Sequence, residues 1–157
     1  MKKFLKIFIP CLLSTIIVLF IGVKLINEYG SYFANPILKE LPIYRSKEFY
    51  SSGFWMDYTD YAKFSYKNVA EEKIESSEYF SRTTEEDVAL ILDCIENFEN
   101  WVEQSDEELK ENYDFDKSII DTGDFAYIDT AGFESATYDI YYFDPDTQML
   151  YYFHNDI

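Results

Sequence analysis

The stretch "ATYDIYYFDPDTQMLYYFHND", residues 136–156, predicts two strands joined by a tight turn. Aromatic and β-branched side chains dominate both halves, and these residue types fit a pleated, half-buried surface. Between the halves Asp144 can open a turn and Pro145 fits the second turn position. The sequence therefore predicts a β-hairpin at the C-terminal end of the chain.

The first strand of this hairpin carries an alternating pattern. Tyr138, Ile140 and Tyr142 fall on one face, and Asp139 falls on the other. Upstream, "DFAYID" at residues 124–129 has the same character, and a strand with one wet face is predicted from the alternation over residues 63–67. Residues 54–62 fit a turn of helix or a strand equally well, and a short strand is expected around residues 78–82.

The segment "TTEEDVALILDCIENFENWVEQS", residues 83–105, predicts an amphipathic helix of about twenty residues. Thr83 and Glu86 have the spacing of a capping box at its start. One broad face is apolar, formed by Val88, Ile91, Leu92, Ile95, Phe98, Trp101 and Val102. Together these elements predict an α+β fold in which an antiparallel sheet packs on one long amphipathic helix.

The N-terminus predicts a membrane anchor. Residues 7–23 are uncharged, span roughly 25 Å as a helix, and end at Lys24. This is slightly short of a ~30 Å hydrocarbon core, but Lys6 and Lys24 can snorkel at the two ends. Small residues at the spacing of a signal-peptide cleavage site are missing between residues 18 and 36, and "FIPC" ending at Cys11 lacks the small residue of a lipidation site.

These features predict four regions: a cytoplasmic tail (1–6), a transmembrane signal anchor (7–26), a stalk or linker (27–52) and an extracytoplasmic acidic α+β domain (53–157). The expected location is the cell membrane, crossed once, because the N-terminal lysines keep that end cytoplasmic. The lipid bilayer is then a partner through the N-terminal helix. Cys11 and Cys94 would lie on different sides of this arrangement, so no internal disulfide is expected.

The net charge of the chain limits the kinds of partner that it can bind. The chain carries a net charge of −17, and from Gly30 onward nine Lys and Arg face twenty-nine Asp and Glu. Such a domain repels nucleic acid and anionic lipid headgroups. Cationic peptides, basic protein surfaces and divalent ions remain as partners, unless the charge serves only to keep the domain soluble.

Four aspartates are candidates for calcium, namely Asp114, Asp116, Asp121 and Asp124. A calcium loop of the EF-hand type started at Asp114 would place Ile119 where Gly is required and Phe125 where Glu is required. A different oxygen cage could still use Asp121 and Asp124, but turn and strand-edge carboxylates are the expected role. "DTGD" itself, residues 121–124, predicts a turn before the strand at Phe125.

Catalytic motifs are incomplete. His154 is the single histidine, and it alternates with neighbours as a strand residue does. No "GxSxG" or glycine-rich phosphate loop accompanies it, so we expect neither an enzyme nor a cofactor. Paired carboxylates beside a cleft remain conceivable, and their mark would be strongly raised or split pKa values.

The clusters "DYTDYAKFSY", "ENFENWVE", "YDFDKSIIDTGDFAYI" and "YYFDPDTQMLYYFHNDI", within residues 57–157, resemble a functionally uncharacterised family of small single-pass bacterial membrane-anchored proteins. The resemblance implies an outward-facing domain behind an anchor and supplies no active-site motif. The function expected from the sequence is a non-catalytic binding or interaction domain. The alternative is an immunity-like protein that neutralises a secreted toxin.

Overall fold

The computed structural model describes residues 2–54, 57–130 and 137–156. The helices are α1 (Lys2–Ala34), α2 (Pro36–Glu40), α3 (Glu71–Glu75), α4 (Glu85–Val102) and α5 (Glu107–Asn112), with a 3-10 turn at Lys117–Ile119. The strands are β1 (Ser46–Phe54), β2 (Asp57–Ser65), β3 (Ser81–Arg82), β4 (Phe125–Thr130), β5 (Tyr138–Asp144) and β6 (Met149–Asp156). The chain divides into two compact units, Met1–Lys39 and Glu40–Ile157.

The first unit is helical, and Asn35 separates its two helices. The Asn35 side-chain oxygen accepts hydrogen bonds from the N–H groups of Ile37 (2.9 Å) and Leu38 (3.3 Å), which caps the start of α2. Pro36 follows at the first helical position, where its missing N–H is not needed. A new helix therefore begins directly after α1 ends.

The predicted transmembrane segment, residues 7–26, requires correction. In the described part of the chain, no helix combines the length and the apolar character needed to cross a membrane. α1 is 33 residues long, but its uncharged run stops at Lys24. That run covers only roughly 25 Å against the ~30 Å of a hydrocarbon core, and snorkelling lysines were expected to supply the difference.

The second unit is built on a six-stranded sheet with the order β1-β2-β6-β5-β4-β3. All five neighbouring pairs are antiparallel, so the predicted α+β class with an antiparallel sheet is confirmed. The predicted stalk over residues 27–52 is wrong over its last part, because Ser46–Phe54 pairs with β2 along nine positions. β1 is an edge strand with polar residues on both faces, so its sequence lacks the alternation that marks a half-buried strand.

Helix α4 packs on one face of the sheet, as predicted, and the main core lies between them. Strand residues on this face are separated by two positions and meet their cross-strand partners directly. The buried members of this core are Tyr61, Ile91, Cys94, Ile95, Phe98, Val102, Leu109, Phe115, Ile120, Ala126, Tyr138, Ile140, Tyr142 and Phe153.

The start of α4 lies one residue later than predicted. Thr84 is the N-cap, and its capping box is completed by Asp87 rather than by Glu86. Thr83 is engaged elsewhere, because its hydroxyl donates to the Asp121 carbonyl (2.7 Å) and its N–H donates to the Asp124 carbonyl (2.8 Å). Because Thr83 is bonded to the turn at residues 121–124, α4 begins after it. This predicted "DTGD" turn precedes β4, as expected.

The predicted hairpin joins β5 and β6. Asp144 is buried, and one of its carboxylate oxygens accepts the N–H groups of Asp146 (2.8 Å) and Thr147 (3.3 Å). Gln148 closes the turn with a positive φ of 58°. The local turn chemistry read from the sequence is therefore confirmed.

Candidate functional site

A row of polar side chains crosses the sheet face that α4 leaves uncovered. Register pairs Ser51 of β1 with Asp60 of β2, and Asp60 with His154 of β6. His154 is paired in turn with Asp139 of β5, and Asp139 with Asp129 of β4. Directly opposed residues share a face, so these five side chains form one line, here called the acidic row.

His154 is held at the centre of the acidic row by Asp139. Its Nδ1 lies 3.0 Å from Asp139 Oδ1, and the Tyr152 hydroxyl donates to the same oxygen at 2.8 Å. A carboxylate only accepts, so the hydrogen of the neutral imidazole lies on Nδ1. The other ring nitrogen, Nε2, then carries a lone pair and is an acceptor.

Two buried polar atoms in the acidic row have no hydrogen-bond partner among the described residues. These are Asp60 Oδ1 and His154 Nε2. The two residues are 9% and 7% exposed. Ser51 supplies one hydrogen bond to the Asp60 carboxylate, and the Asp60 and His154 charges are close enough to interact. Unpartnered buried polar atoms are uncommon and costly, so this pair is a candidate for contact with a ligand.

Burial and hydrogen bonding shift the pKa values of two carboxylates of the acidic row in opposite directions. Burial raises the pKa of Asp60 above its ordinary value. Burial acts in the same sense on Asp139, but hydrogen bonds from His154 and Tyr152 outweigh it and lower the pKa of Asp139. For His154, burial opposes the charged form, yet the hydrogen bond to Asp139 raises the pKa overall. The split between Asp60 and Asp139 marks the row as a site candidate.

Aromatic rings border the imidazole. The Tyr58 ring lies 4.6 Å from the His154 ring, centroid to centroid, and the Tyr152 ring lies 6.3 Å away with its plane nearly parallel. Tyr58 is 38% exposed, so it forms part of the surface above the buried imidazole.

The first two calcium candidates have structural partners. The Asp114 carboxylate contacts Lys63 Nζ at 2.8 Å and accepts the Tyr61 hydroxyl at 3.1 Å. Asp116 accepts the N–H of Ser118 at 2.9 Å and caps the 3-10 turn.

The second two calcium candidates belong to the turn before β4. The Asp121 carboxylate accepts the N–H of Thr122 at 2.7 Å. The Asp124 carboxylate accepts a hydrogen bond from the Tyr142 hydroxyl. Across the described ranges, no group of three or more His, Cys, Asp or Glu side chains could hold a metal ion. These contacts fit the expected role of turn and strand-edge carboxylates.

Cys94 lies on the opposite side of the sheet, on α4, where it is free and buried. Burial raises the pKa of the thiol to about 11. At neutral pH the side chain is therefore a protonated thiol with low reactivity.

Sequence reasoning placed His154 in a strand correctly but did not connect it with Asp60 or Asp139. A local signal was present, because Asp139 interrupts a strongly aromatic strand. An acid at such a position needs a partner on its own sheet face. The pairing of β5 with β6 and of β6 with β2 supplies that partner, and only the fold reveals it.

No protein-family model, no curated protein and no solved structure matches this chain. The resemblance to a family of membrane-anchored bacterial proteins stays a prediction.

Proposed function

We propose that this chain is a non-catalytic binding domain that takes up a cationic group of a peptide or protein at the acidic row. The observation that carries this proposal is the pair of unpartnered buried acceptors, Asp60 Oδ1 and His154 Nε2, on directly opposed positions of β2 and β6. Leaving such atoms without a donor costs free energy. A ligand that brings hydrogen-bond donors would remove that cost, which favours binding.

Charge supports a cationic ligand over an anionic or neutral one. Asp129 and Asp139 continue the row beyond His154, and Asp129 is exposed to solvent. The chain as a whole carries a net charge of −17. A surface of this sign attracts cations over distances of about the Debye length and repels nucleic acid.

The arrangement around His154 favours binding over nucleophilic catalysis. An activated serine, threonine or cysteine nucleophile would have to meet the free nitrogen of the imidazole. Among residues 2–54, 57–130 and 137–156, no hydroxyl or thiol is hydrogen-bonded to Nε2. Cys94, the one thiol described here with its side chain, lies on the other side of the sheet.

The Asp60→Asn variant tests the proposal. We expect it to weaken the binding of a short oligolysine peptide roughly tenfold or more, because a buried charge-assisted hydrogen bond is worth about 1.5–3 kcal/mol. Isothermal titration calorimetry with the full chain at ~0.15 M salt gives the affinity.

The matched control is Asp93→Asn, which removes the same charge from the exposed surface of α4. We expect this control to change the affinity less than about twofold, because exposed charges at a distance are screened. Equal weakening by both variants would show that only net charge matters and would contradict a site at the acidic row.

A further inference from the structure

The geometry points to a primary ammonium, such as that of a lysine side chain, as the group held between Asp60 Oδ1 and the neutral imidazole Nε2 of His154. We further infer that protonation of His154 releases it. This inference rests on the proposed function and names both the ligand class and the regulation of the same site.

Both atoms are hydrogen-bond acceptors when the imidazole is neutral, so the group that binds them must be a hydrogen-bond donor. Asp139 Oδ1 holds the Nδ1–H of His154 at 3.0 Å, which leaves Nε2 as a lone pair. Asp60 Oδ1 is likewise an acceptor without a partner among the described residues. Two acceptors from adjacent strands can be satisfied together by one group that carries several N–H donors. An ammonium, with three donors on one nitrogen, meets this requirement.

The remaining oxygens argue against a guanidinium. An arginine side chain binds a carboxylate best through two parallel hydrogen bonds to both oxygens. The Asp60 carboxylate already takes a hydrogen bond from Ser51. On Asp139, one oxygen is shared by His154 and Tyr152. On either carboxylate a planar fork would have to share an oxygen with one of these donors.

The burial of the two residues also favours an ammonium over a guanidinium. Asp60 and His154 are more than nine-tenths buried, and Tyr58 lies against the imidazole at the surface. A compact ammonium on a flexible four-carbon stem can reach atoms at this depth more readily than a broad planar group can. The apolar part of the stem would then lie along the Tyr58 ring, which is 38% exposed.

The groups around His154 determine how protons compete with the ligand. From β5 it faces Asp139, from β2 it faces Asp60 and Tyr58, and its own strand contributes Tyr152 and Asp156. Burial alone would lower the pKa of His154, but the hydrogen bond and charge of Asp139 raise it overall. Protonation places a hydrogen and a positive charge on the imidazole at Nε2. The imidazolium can then donate to Asp60 itself, so the proton and the ammonium exclude each other.

This competition sets the sign of the pH dependence. The ordinary pKa of histidine is about 6.5, and the raised value in the fold lies above it. Ammonium binding is therefore present above the pKa of folded His154 and is lost as pH falls through it, approaching tenfold per pH unit. A site made of carboxylates alone would keep its cation until those carboxylates are protonated, and for Asp60 burial places this above the ordinary pKa.

The test compares oligolysine and oligoarginine peptides of equal length on the full chain, by calorimetry from about pH 8.5 down to about pH 5.5. We expect oligolysine to bind more tightly at high pH and to lose affinity towards low pH, with little pH dependence for oligoarginine. In His154→Gln the pH dependence should vanish, and in Asp93→Asn it should remain. In Asp139→Asn its midpoint should move to lower pH, because the carboxylate that raises the pKa of His154 is gone.

The outcomes separate the two proposals. Equal binding of both peptides with a flat pH profile would overturn the ammonium site and leave the cationic-binding function standing. Absence of binding by either peptide at any pH would overturn the proposed function itself. A midpoint that stays in place in Asp139→Asn would show that His154 is not the titrating group and would overturn the regulation.

Discussion

Phe153→Ala is expected to lower the free energy of unfolding by about 3–5 kcal/mol. Phe153 lies on β6, is fully buried, and occupies the centre of the core between the sheet and α4. Its ring centroid lies 5.5 Å from that of Tyr61, 5.4 Å from that of Phe98 and 4.9 Å from that of Phe115. Removing the ring loses these contacts and leaves a cavity that three aromatic neighbours cannot close.

Urea unfolding of the full chain, followed by circular dichroism, measures this loss. Phe49→Ala is the matched control, because Phe49 lies on the edge strand β1 with 47% of its surface exposed. We expect the control to cost less than about 1 kcal/mol. Similar losses in the two variants would mean that Phe153 is not at the centre of the core.

Tyr142→Phe is expected to cost about 1–3 kcal/mol, the second-largest effect. The Tyr142 ring is fully buried, and its hydroxyl contacts the Asp124 carboxylate and the Ile119 carbonyl, the latter at 2.8 Å. It also accepts the N–H of Asp121 at 3.4 Å. The Tyr142 hydroxyl thus links residues 119–124, which include the "DTGD" turn, to β5. Without it, Asp124, whose pKa burial already raises, loses its donor.

The matched control for this variant is Tyr127→Phe. The Tyr127 hydroxyl makes one long contact of 3.4 Å with Asp129, which is exposed. We expect its loss to change stability by less than about 0.5 kcal/mol. Urea unfolding compares the two, and a Tyr142→Phe variant as stable as the control would refute the structural role given to the aspartate turn.

Local sequence patterns predicted those helices and strands whose structure depends on residues close together in the sequence. The hairpin of β5 and β6 could be predicted because Asp144 and Pro145 fix a turn between two aromatic runs. Helix α4 could be predicted because its apolar residues recur every three or four positions. Its first residue was misplaced by one, since the tie between Thr83 and Asp121 joins residues far apart in sequence.

The acidic row could not be predicted, because it depends on strand order. Alternation places Asp139 on a face of β5, but it does not show that β6 lies between β5 and β2. His154 and Asp60 are paired between β6 and β2, although ninety-four positions separate them in the sequence. β1 could not be predicted because polar residues fall on both of its faces. The anchor was predicted because lysines at both ends were expected to extend an uncharged run of roughly 25 Å to the ~30 Å of a hydrocarbon core.

The single histidine allows the most direct measurement. A long-range proton–nitrogen NMR correlation of the imidazole, recorded on untagged full chain at about pH 8, reports which nitrogen carries the hydrogen. We expect a neutral ring protonated at Nδ1, with an Nε2 resonance that shifts when oligolysine peptide is added. A ring protonated at Nε2, or an Nε2 resonance unmoved by saturating peptide, would contradict an ammonium site at the acidic row.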